Sequence, residues 1–345
     1  MSDTSTISAS DAKRTARNVG VLVIAQILTN GVQFIWQIWL AALLGTFDYG
    51  VFNTVMALFA IGTSLANFGI GLIAIREIAS NPERIGQYAG SMLYSQTILA
   101  IVGYVSIVIA ASVTPNFSDL IVAYTAIAGI SLIIDMWGGI ANDLLIAQER
   151  MVTSSIMNLL PMLLRVGLAA WVLLAGWGLL GLYIVTIATG ILRTVVLWGI
   201  HWRSGLQVDW RIKRHITLPL LINAAPLAIN GFLALLYAHA DKLMTTSIIG
   251  EEGTGFLGPA FLINFGVTEL LSTAVLVAMY PMMARYYDNN STETFGYIVE
   301  TLARFMLMIA LPIALTVSIF ADEIILLIYP IEYTPTIGIL RILIW

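Results

Sequence analysis

The stretch DLIVAYTAIAGISLIIDMWGGIANDLLI, residues 119–146, decides the fold class of this chain. It contains 28 residues, and its only charged side chains are three aspartates. A helix needs about 20 mostly apolar residues to cross the hydrocarbon core of a membrane, whereas the strands of membrane barrels are about 10 residues long and alternate in polarity. Because this run is too long and too continuously apolar for such a strand, it predicts a membrane-spanning helix.

Eight further runs of the same kind lie before and after it in the chain of 345 residues. The nine predicted spans are residues 18–44, 51–75, 88–113, 119–146, 153–175, 178–200, 217–248, 255–284 and 298–320. A tenth apolar run begins near residue 336 and stops at Trp345 without a polar end, so we expect a C-terminally incomplete chain. The expected fold class is an all-α polytopic membrane protein with nine full spans and the start of a tenth.

The composition excludes several classes of protein. Hydrophobic residues make up 59% of the chain and charged residues only 10%, with a mean hydropathy of +0.90. A soluble domain carries about a quarter charged residues, so a water-soluble globule is excluded. The 16 basic and 20 acidic residues give no positive excess that would attract nucleic acid. With no cysteine and three histidines, we expect neither a metal site nor a cofactor.

The basic residues between the spans predict the orientation. Lys and Arg near the ends of spans mark the cytoplasmic side. If the amino end is cytoplasmic, 11 basic residues fall on that side and none falls in the opposite loops. They are Lys13, Arg14, Arg17, Arg76, Arg84, Arg150, Arg203, Arg211, Lys213, Arg214 and Arg285. One missed helix would place basic residues in loops on both sides, so their separation supports the span count. It also predicts a multi-pass plasma-membrane protein whose N-terminus is cytoplasmic.

The connections divide the chain into parts. Residues 1–17 are polar and predict a mobile cytoplasmic tail. The segment HWRSGLQVDWRIKRHI, residues 201–216, mixes tryptophans with basic residues and predicts an interfacial amphipathic helix, with a plain linker as the alternative. The turns LLGTFDYGVF (43–52) and IIGEEGTGFL (248–257) share a glycine spacing. They favour two repeats of the six-span type, a first lobe over 18–200 and an incomplete second lobe over 217–345 with three helices and part of a fourth.

Four segments in fixed order carry a family resemblance. They are LAALLGTFDYGVFNTVMALF (40–59), IREIAS (75–80), LLIAQERM (144–151) and HADKLMTTSIIGEEGTGFLGPAF (239–261). In order and spacing they resemble polysaccharide flippases, the Wzx-like members of the multidrug/oligosaccharidyl-lipid/polysaccharide exporter superfamily. The resemblance implies a two-lobed helix bundle around a central cavity. It also implies alternating-access transport of a polyprenyl-pyrophosphate-linked oligosaccharide to the outer leaflet, with membrane lipids and polysaccharide assembly proteins as further partners.

Charged residues inside the apolar runs are the candidate functional residues, since an ionisable side chain at the bilayer centre usually faces protein or water. The candidate cations for binding a lipid pyrophosphate are Arg165, Arg304, Arg193 and Lys242, with Arg165 first. Each has a structural alternative. Arg193 can reach the inner headgroups, Arg304 can pair with Glu300 four residues earlier, and Lys242 can pair with a nearby acid.

Two intramembrane acids and one group of loop charges complete the candidates. Asp135 and Glu269 lie near the middle of their spans and are candidates for coupling transport to protons or sodium ions. The alternative roles are a buried salt bridge to Arg165 or Arg193 and a protonated acid in a helix interface. The predicted cytoplasmic gate consists of Arg76, Glu77, Glu149 and Arg150, for which simple anchoring at the membrane surface is the alternative.

Three functions are compared. A flippase for lipid-linked oligosaccharide needs cations in its cavity, whereas a multidrug or metabolite cation antiporter of the same superfamily needs fewer. A membrane-embedded glycan-modifying enzyme would place acids or histidines in large outer loops. This sequence contains neither such loops nor a paired histidine motif nor a glycine-rich phosphate loop, so we expect a transporter and not an enzyme.

Overall fold

The computed structural model describes residues 9–211, 213–288 and 292–345, and the side chains of 28–211, 213–269 and 296–345. Within these ranges every regular element is a helix and there is no strand, which confirms the predicted all-α fold. The α-helices are α1 (Ala9–Asn67), α2 (Ile70–Ser80), α3 (Ile85–Val113), α4 (Asp119–Ala147), α5 (Met151–Leu174), α6 (Gly178–Arg203), α7 (Arg214–Ile249), α8 (Glu251–Asp288), α9 (Thr292–Ile319), α10 (Ala321–Ile328) and α11 (Pro335–Leu343).

Seven segments of the described residues are long and apolar enough to cross a membrane. The first, Leu28–Ser80, contains 53 residues. At a rise of 1.5 Å per residue it is ~80 Å long, more than twice the ~30 Å hydrocarbon core, so it accommodates two of the predicted spans. The helix α1 bends between them at Gly45, which has a φ of 75°. Part of predicted span 255–284 lies outside the described side chains, so the total of nine spans stays a prediction.

The second predicted span is broken near its middle. Helix α1 ends at Asn67 and α2 begins at Ile70, because Phe68 and Gly69 both adopt left-handed backbone angles with φ of 52° and 70°. The break exposes the carbonyl of Asn67. This carbonyl accepts a hydrogen bond of 3.2 Å from the buried Gln96 side-chain amide. A Cβ atom on Gly69 would lie 2.8 Å from the Cβ of Leu227 in α7. The break therefore lets α2 pack closely against a neighbouring helix.

Two predicted connecting segments differ from the structure. Residues from Ala9 onward belong to α1, so the predicted tail over 1–17 is helical over 9–17, and residues 1–8 lie outside the description. Its mobility and its cytoplasmic position stay predictions. The predicted interfacial helix at 201–216 is also wrong, because α6 ends at Arg203. Gly205 follows with a φ of 76°, and the Leu206 N–H donates to the His201 carbonyl at 3.1 Å. This is the pattern of a helix terminated by a left-handed glycine.

Residues 204–211 form a strap across the start of α3. The Asp209 N–H donates to the Gly86 carbonyl at 3.0 Å. A Cβ atom on Gly86 or Gly90 would overlap the strap's carbonyl oxygens, so only glycine permits this approach. The Lys213 ammonium lies 2.7 Å from the Asp209 carboxylate, and its hydrogen bond holds the pKa of Asp209 below the usual value. The strap is therefore fixed to the helix bundle.

The two similar turns noted in the sequence lie against each other. A Cβ atom on Gly50 would overlap the carbonyl of Glu251, and one on Gly255 would overlap the carbonyl of Thr46. Each residue of one turn lies 205 positions from its counterpart, Thr46 from Glu251 and Gly50 from Gly255. The contact is therefore reciprocal, as is expected where two related units meet about a two-fold axis. It supports the proposal of two related lobes.

Candidate functional site

A polar cavity of about 300 Å³ lies among α1, α4, α5 and α6. Three of the predicted candidates, Arg165, Arg193 and Asp135, line it together. The other lining residues are Thr29, Gln33, Asn158, Pro161, Met162, Thr186, Thr189 and Gly190. Since all four helices contain or lie within the segments long enough to cross a membrane, the structure places these charged side chains inside the bundle.

Helix α5 presents Asn158 and Arg165 to the cavity from one face. The two residues are seven positions apart, which is close to two helical turns. The Arg165 side chain is half-buried, and in the described part of the chain its guanidinium forms no hydrogen bond or close ion pair. It interacts electrostatically with Asp135 across the cavity. Arg165 therefore keeps its donors available for a bound anion.

Helix α6 contributes a second polar face, on which Thr186 and Arg193 are also seven residues apart. Thr186, Thr189, Gly190 and Arg193 recur at intervals that place them on one side of the helix. The Arg193 Nη2 donates a hydrogen bond of 2.8 Å to Oδ1 of Asn158 on α5. This contact directs the guanidinium into the cavity. The alternative that Arg193 extends to the inner headgroups is not what the structure shows.

Asp135 supplies the negative charge of the cavity. It interacts electrostatically with Arg193 and with Arg165, and its carboxylate faces Gly190 of α6. No arginine of the cavity lies within 4 Å of a carboxylate oxygen in the described ranges. Two guanidinium groups thus face one carboxylate across open space. Such an arrangement can hold a phosphate or pyrophosphate through charge-assisted hydrogen bonds.

The remaining candidate cargo residues do not line this cavity. Arg304 on α9 lies 2.5 Å from the Glu300 carboxylate, and its side chain is 75% exposed, so the alternative of a pair within one helix is confirmed. Lys242 on α7 interacts electrostatically with Asp241, its predicted neighbour. Glu269 is exposed on α8. The structure therefore brings Arg165, Arg193 and Asp135 together and leaves the other three apart from them.

The predicted gate residues contact neighbouring elements. Glu77 on α2 accepts a hydrogen bond of 3.4 Å from the Tyr88 hydroxyl on α3. Arg150 donates to the Ser204 hydroxyl of the strap at 3.0 Å. Glu149 has a left-handed φ of 57° where α4 ends. Arg76 is exposed on α2. Arg76 and Glu77 lie within α2 and not in a loop, whereas Glu149 and Arg150 lie between α4 and α5. The gating role itself stays a prediction.

Several cavity residues were missed in the sequence. Asn158, Thr186 and Thr189 are neutral and polar, so a search for charges inside apolar runs passes over them. They could have been found by listing the residues that share a helix face with each arginine. Positions three, four and seven residues before Arg193, and seven before Arg165, share the face of the arginine.

The sequence matches the family described as polysaccharide biosynthesis protein over residues 15–287. No curated protein matches the chain. Among solved structures, an inward-facing multidrug resistance MATE family transporter of the MOP superfamily is 17% identical, with a TM-score of 0.65 over 94% of this chain and 79% of the other. A MATE protein in the straight conformation is 18% identical, with a TM-score of 0.56 over 95% and 77%.

A third similar structure is a MOP superfamily transporter from Pyrococcus furiosus, described as having a binding pocket of reverse polarity. It is 18% identical, with a TM-score of 0.53 over 95% of this chain and 76% of the other. At these identities the likeness shows a shared fold. This chain therefore has the fold of the MOP superfamily transporters and is a multi-pass membrane protein.

Proposed function

This chain belongs to the polysaccharide biosynthesis protein family, and on that premise we propose that it transports a polyprenyl-pyrophosphate-linked oligosaccharide across the membrane by alternating access. The amino end is cytoplasmic and the membrane is the plasma membrane in this proposal. The separation of 11 basic residues from the opposite loops supports that orientation. The direction of transport is from the cytoplasmic to the outer leaflet.

The observation that carries the proposal is the convergence of two guanidinium groups on one cavity inside the bundle. A lipid pyrophosphate carries negative charge, and moving this charge through hydrocarbon without a positively charged or polar partner costs several kcal/mol. Guanidinium groups bind phosphate oxygens through paired, charge-assisted hydrogen bonds and remain protonated in proteins. Arg165 and Arg193 therefore supply the charge that makes a pathway for the pyrophosphate through the bundle.

The two arginines have different roles in this proposal. Arg193 is held in place by Asn158, so its orientation is set before cargo arrives. Arg165 has no such bond in the described part of the chain and can turn both of its terminal nitrogens toward the cargo. Asp135 balances part of the positive charge when the cavity is empty. The cargo phosphate then displaces this interaction, which keeps binding reversible.

A cation antiporter of the same fold is the competing function. It would bind a positively charged drug or metabolite, for which an excess of carboxylates in the cavity is expected. The cavity contains the opposite balance, with two arginines and one aspartate. This charge balance favours an anionic cargo.

The test replaces Arg165 by Gln in cells whose own copy of the gene has been deleted, and measures polysaccharide at the cell surface. A hydrogen bond to a charged group contributes about 1.5–3 kcal/mol. Loss of the Arg165 guanidinium should therefore lower the transport rate roughly 10- to 100-fold. Arg165→Lys should restore part of it. The matched control is Arg304→Gln, which removes an exposed arginine paired within its own helix and should leave export unchanged.

Membrane abundance of each variant is measured by immunoblotting, so that loss of protein is separated from loss of transport. Wild-type export by Arg165→Gln at normal abundance would contradict the proposed role of the cavity. If the wild-type chain itself fails to restore surface polysaccharide, the proposed function falls.

A further inference from the structure

Two further cavities lie at the strap, and neither shares a lining residue with the cavity of Arg165, Arg193 and Asp135, which we name the arginine cavity. The first, about 730 Å³ in volume, lies between α4, α6 and the strap and is lined mainly by apolar and tryptophan side chains; we name it the tryptophan cavity. The second, about 510 Å³, lies between the strap and the start of α3 and is lined mainly by polar side chains; we name it the glutamine cavity. Leu206 and Gln207 line both, so the two cavities adjoin at these residues.

The tryptophan cavity is built from fixed indole rings. The Trp137 indole N–H donates to the Thr97 hydroxyl at 2.9 Å, and the Trp198 indole N–H donates to the Trp137 carbonyl at 3.1 Å. Trp202 and Trp210 add rings that are 85% and 73% exposed. The cavity lies along α4 and α6, two helices that are long and apolar enough to cross a membrane. Its volume is typical of a ligand pocket.

The glutamine cavity offers a different chemistry. Gln87, Gln148 and Gln207 line it with amide groups, and Glu83 and Asp209 add two carboxylates. Amides and carboxylates together provide both donors and acceptors, which is the combination that hydroxyl groups require. Ser204, which accepts a hydrogen bond from Arg150, also lines it. A polyhydroxyl head group fits this lining better than a hydrocarbon does.

The strap holds the two cavities in a fixed relation. It is tied to α3 through the Asp209–Gly86 hydrogen bond and the close approach at Gly90. The Asp209–Lys213 contact of 2.7 Å fixes its far end. Both cavities therefore exist before any ligand binds, which reduces the entropy lost on binding.

We propose that the strap is a docking site for the lipid-linked cargo, with the prenyl chain in the tryptophan cavity and the saccharide in the glutamine cavity. This proposal rests on the proposed function and adds a site distinct from the arginine cavity. The occupant must change from apolar to hydroxyl-rich at Leu206 and Gln207, where the cavities adjoin. A prenyl-linked saccharide has this change at its phosphate, and a phospholipid offers far fewer hydroxyls to the three glutamines.

The test fills the tryptophan cavity without disturbing the helix that lines it. Gly199 lies in α6 and lines the cavity, and no atom lies within 4 Å of a Cβ added there. Gly199→Phe therefore places a ring in the cavity. The full chain is purified in detergent micelles and titrated with polyprenyl pyrophosphate carrying one hexose, and bound lipid is measured by native mass spectrometry. Because the arginine cavity is proposed to bind one copy of this lipid, the readout is the second bound copy, which native mass spectrometry counts separately. We expect Gly199→Phe to bind this second copy at least tenfold more weakly than the wild type does.

The matched control is Gly338→Phe in α11, where an added Cβ also meets no atom within 4 Å and the residue lies outside both cavities. It should bind as the wild type does. A second variant, Gln207→Ala, should weaken binding of the hexose-bearing lipid more than that of bare polyprenyl phosphate. Size-exclusion profiles identical to the wild type establish that each variant is folded.

Unchanged binding by Gly199→Phe overturns the docking site. So does equal displacement of the probe by phosphatidylglycerol, which would identify an ordinary membrane-lipid site. Neither result would contradict the proposed function, because export by the wild type and its loss in Arg165→Gln are measured separately in cells.

Discussion

At the scale of single residues, the charge balance of the arginine cavity favours the anionic cargo that we propose for it. Asp135 interacts with both guanidinium groups and reduces their combined field. An empty cavity with two unbalanced cations inside a membrane would be expensive in free energy. The aspartate therefore lowers the free energy of the empty state and at the same time weakens the attraction for an anionic cargo.

Replacing Asp135 by Asn should strengthen anion binding, in contrast to the loss expected for Arg165→Gln. Two unit charges ~8 Å apart at an effective dielectric of ~20 interact by about 2 kcal/mol, so removal of the carboxylate should tighten binding of polyprenyl pyrophosphate roughly 30-fold. Export should become slower, because release of the cargo is harder. Affinity is measured by native mass spectrometry on the purified chain.

Asp119→Asn, at the start of the same helix and outside the cavity, is the control and should leave affinity unchanged. Weaker binding by Asp135→Asn would show that the carboxylate contacts the cargo directly.

The residues of the site were partly predictable for a simple reason. A charge in an apolar run is visible in a sequence, and so Arg165, Arg193 and Asp135 were candidates before the structure. Which of the charges share a cavity depends on how the helices pack, and this the sequence does not contain. Arg304 shows the limit, since its burial could not be judged although its partner Glu300 was visible four residues earlier.

At the scale of elements, the strap shows why the predicted interfacial helix was wrong. The alternation of tryptophan and basic residues in 201–216 resembles an amphipathic helix, but Gly205 adopts a left-handed angle and ends α6. Glycine after a helix is a stop signal readable in the sequence. The partner surface was not readable, because Gly86 and Gly90 accept the strap only through a close approach of the two backbones.

Gly90→Ala should detach part of the strap. The added methyl group would overlap the Asp209 carbonyl, which is backbone and cannot turn away, so the strap must move. We expect faster amide hydrogen exchange over 204–211 and easier tryptic cleavage at Arg203 and Arg211.

The control for this change is Gly139→Ala in α4, where an added Cβ meets no atom within 4 Å. Exchange rates equal to those of the wild type in Gly90→Ala would mean that the strap is not held by this contact.

At the scale of the whole molecule, the two predicted lobes meet through a reciprocal contact that the similar turns only suggested. The contact continues inward as a chain of buried hydroxyl groups. Thr54 of α1 lies 2.6 Å from Thr246 of α7, and Thr246 lies 2.6 Å from Thr254 of α8, measured between Oγ1 atoms. The glycine spacing predicts the repeat. The contact between the two turns could not be predicted from the sequence, because it depends on the arrangement of all the helices between them.

Alternating access requires the two lobes to separate at this contact, so fixing it should stop transport. The chain contains no cysteine, and Thr54→Cys with Thr246→Cys would therefore form a single defined cross-link between α1 and α7. After oxidation in cells, export of polysaccharide should fall to background, and a reducing agent should restore it. The pair Thr246→Cys with Thr254→Cys is the matched control, because the threonines are equally close but join two helices of the predicted second lobe. It should cross-link without loss of export. Full export by the oxidised Thr54→Cys/Thr246→Cys chain would mean that the lobes need not separate here.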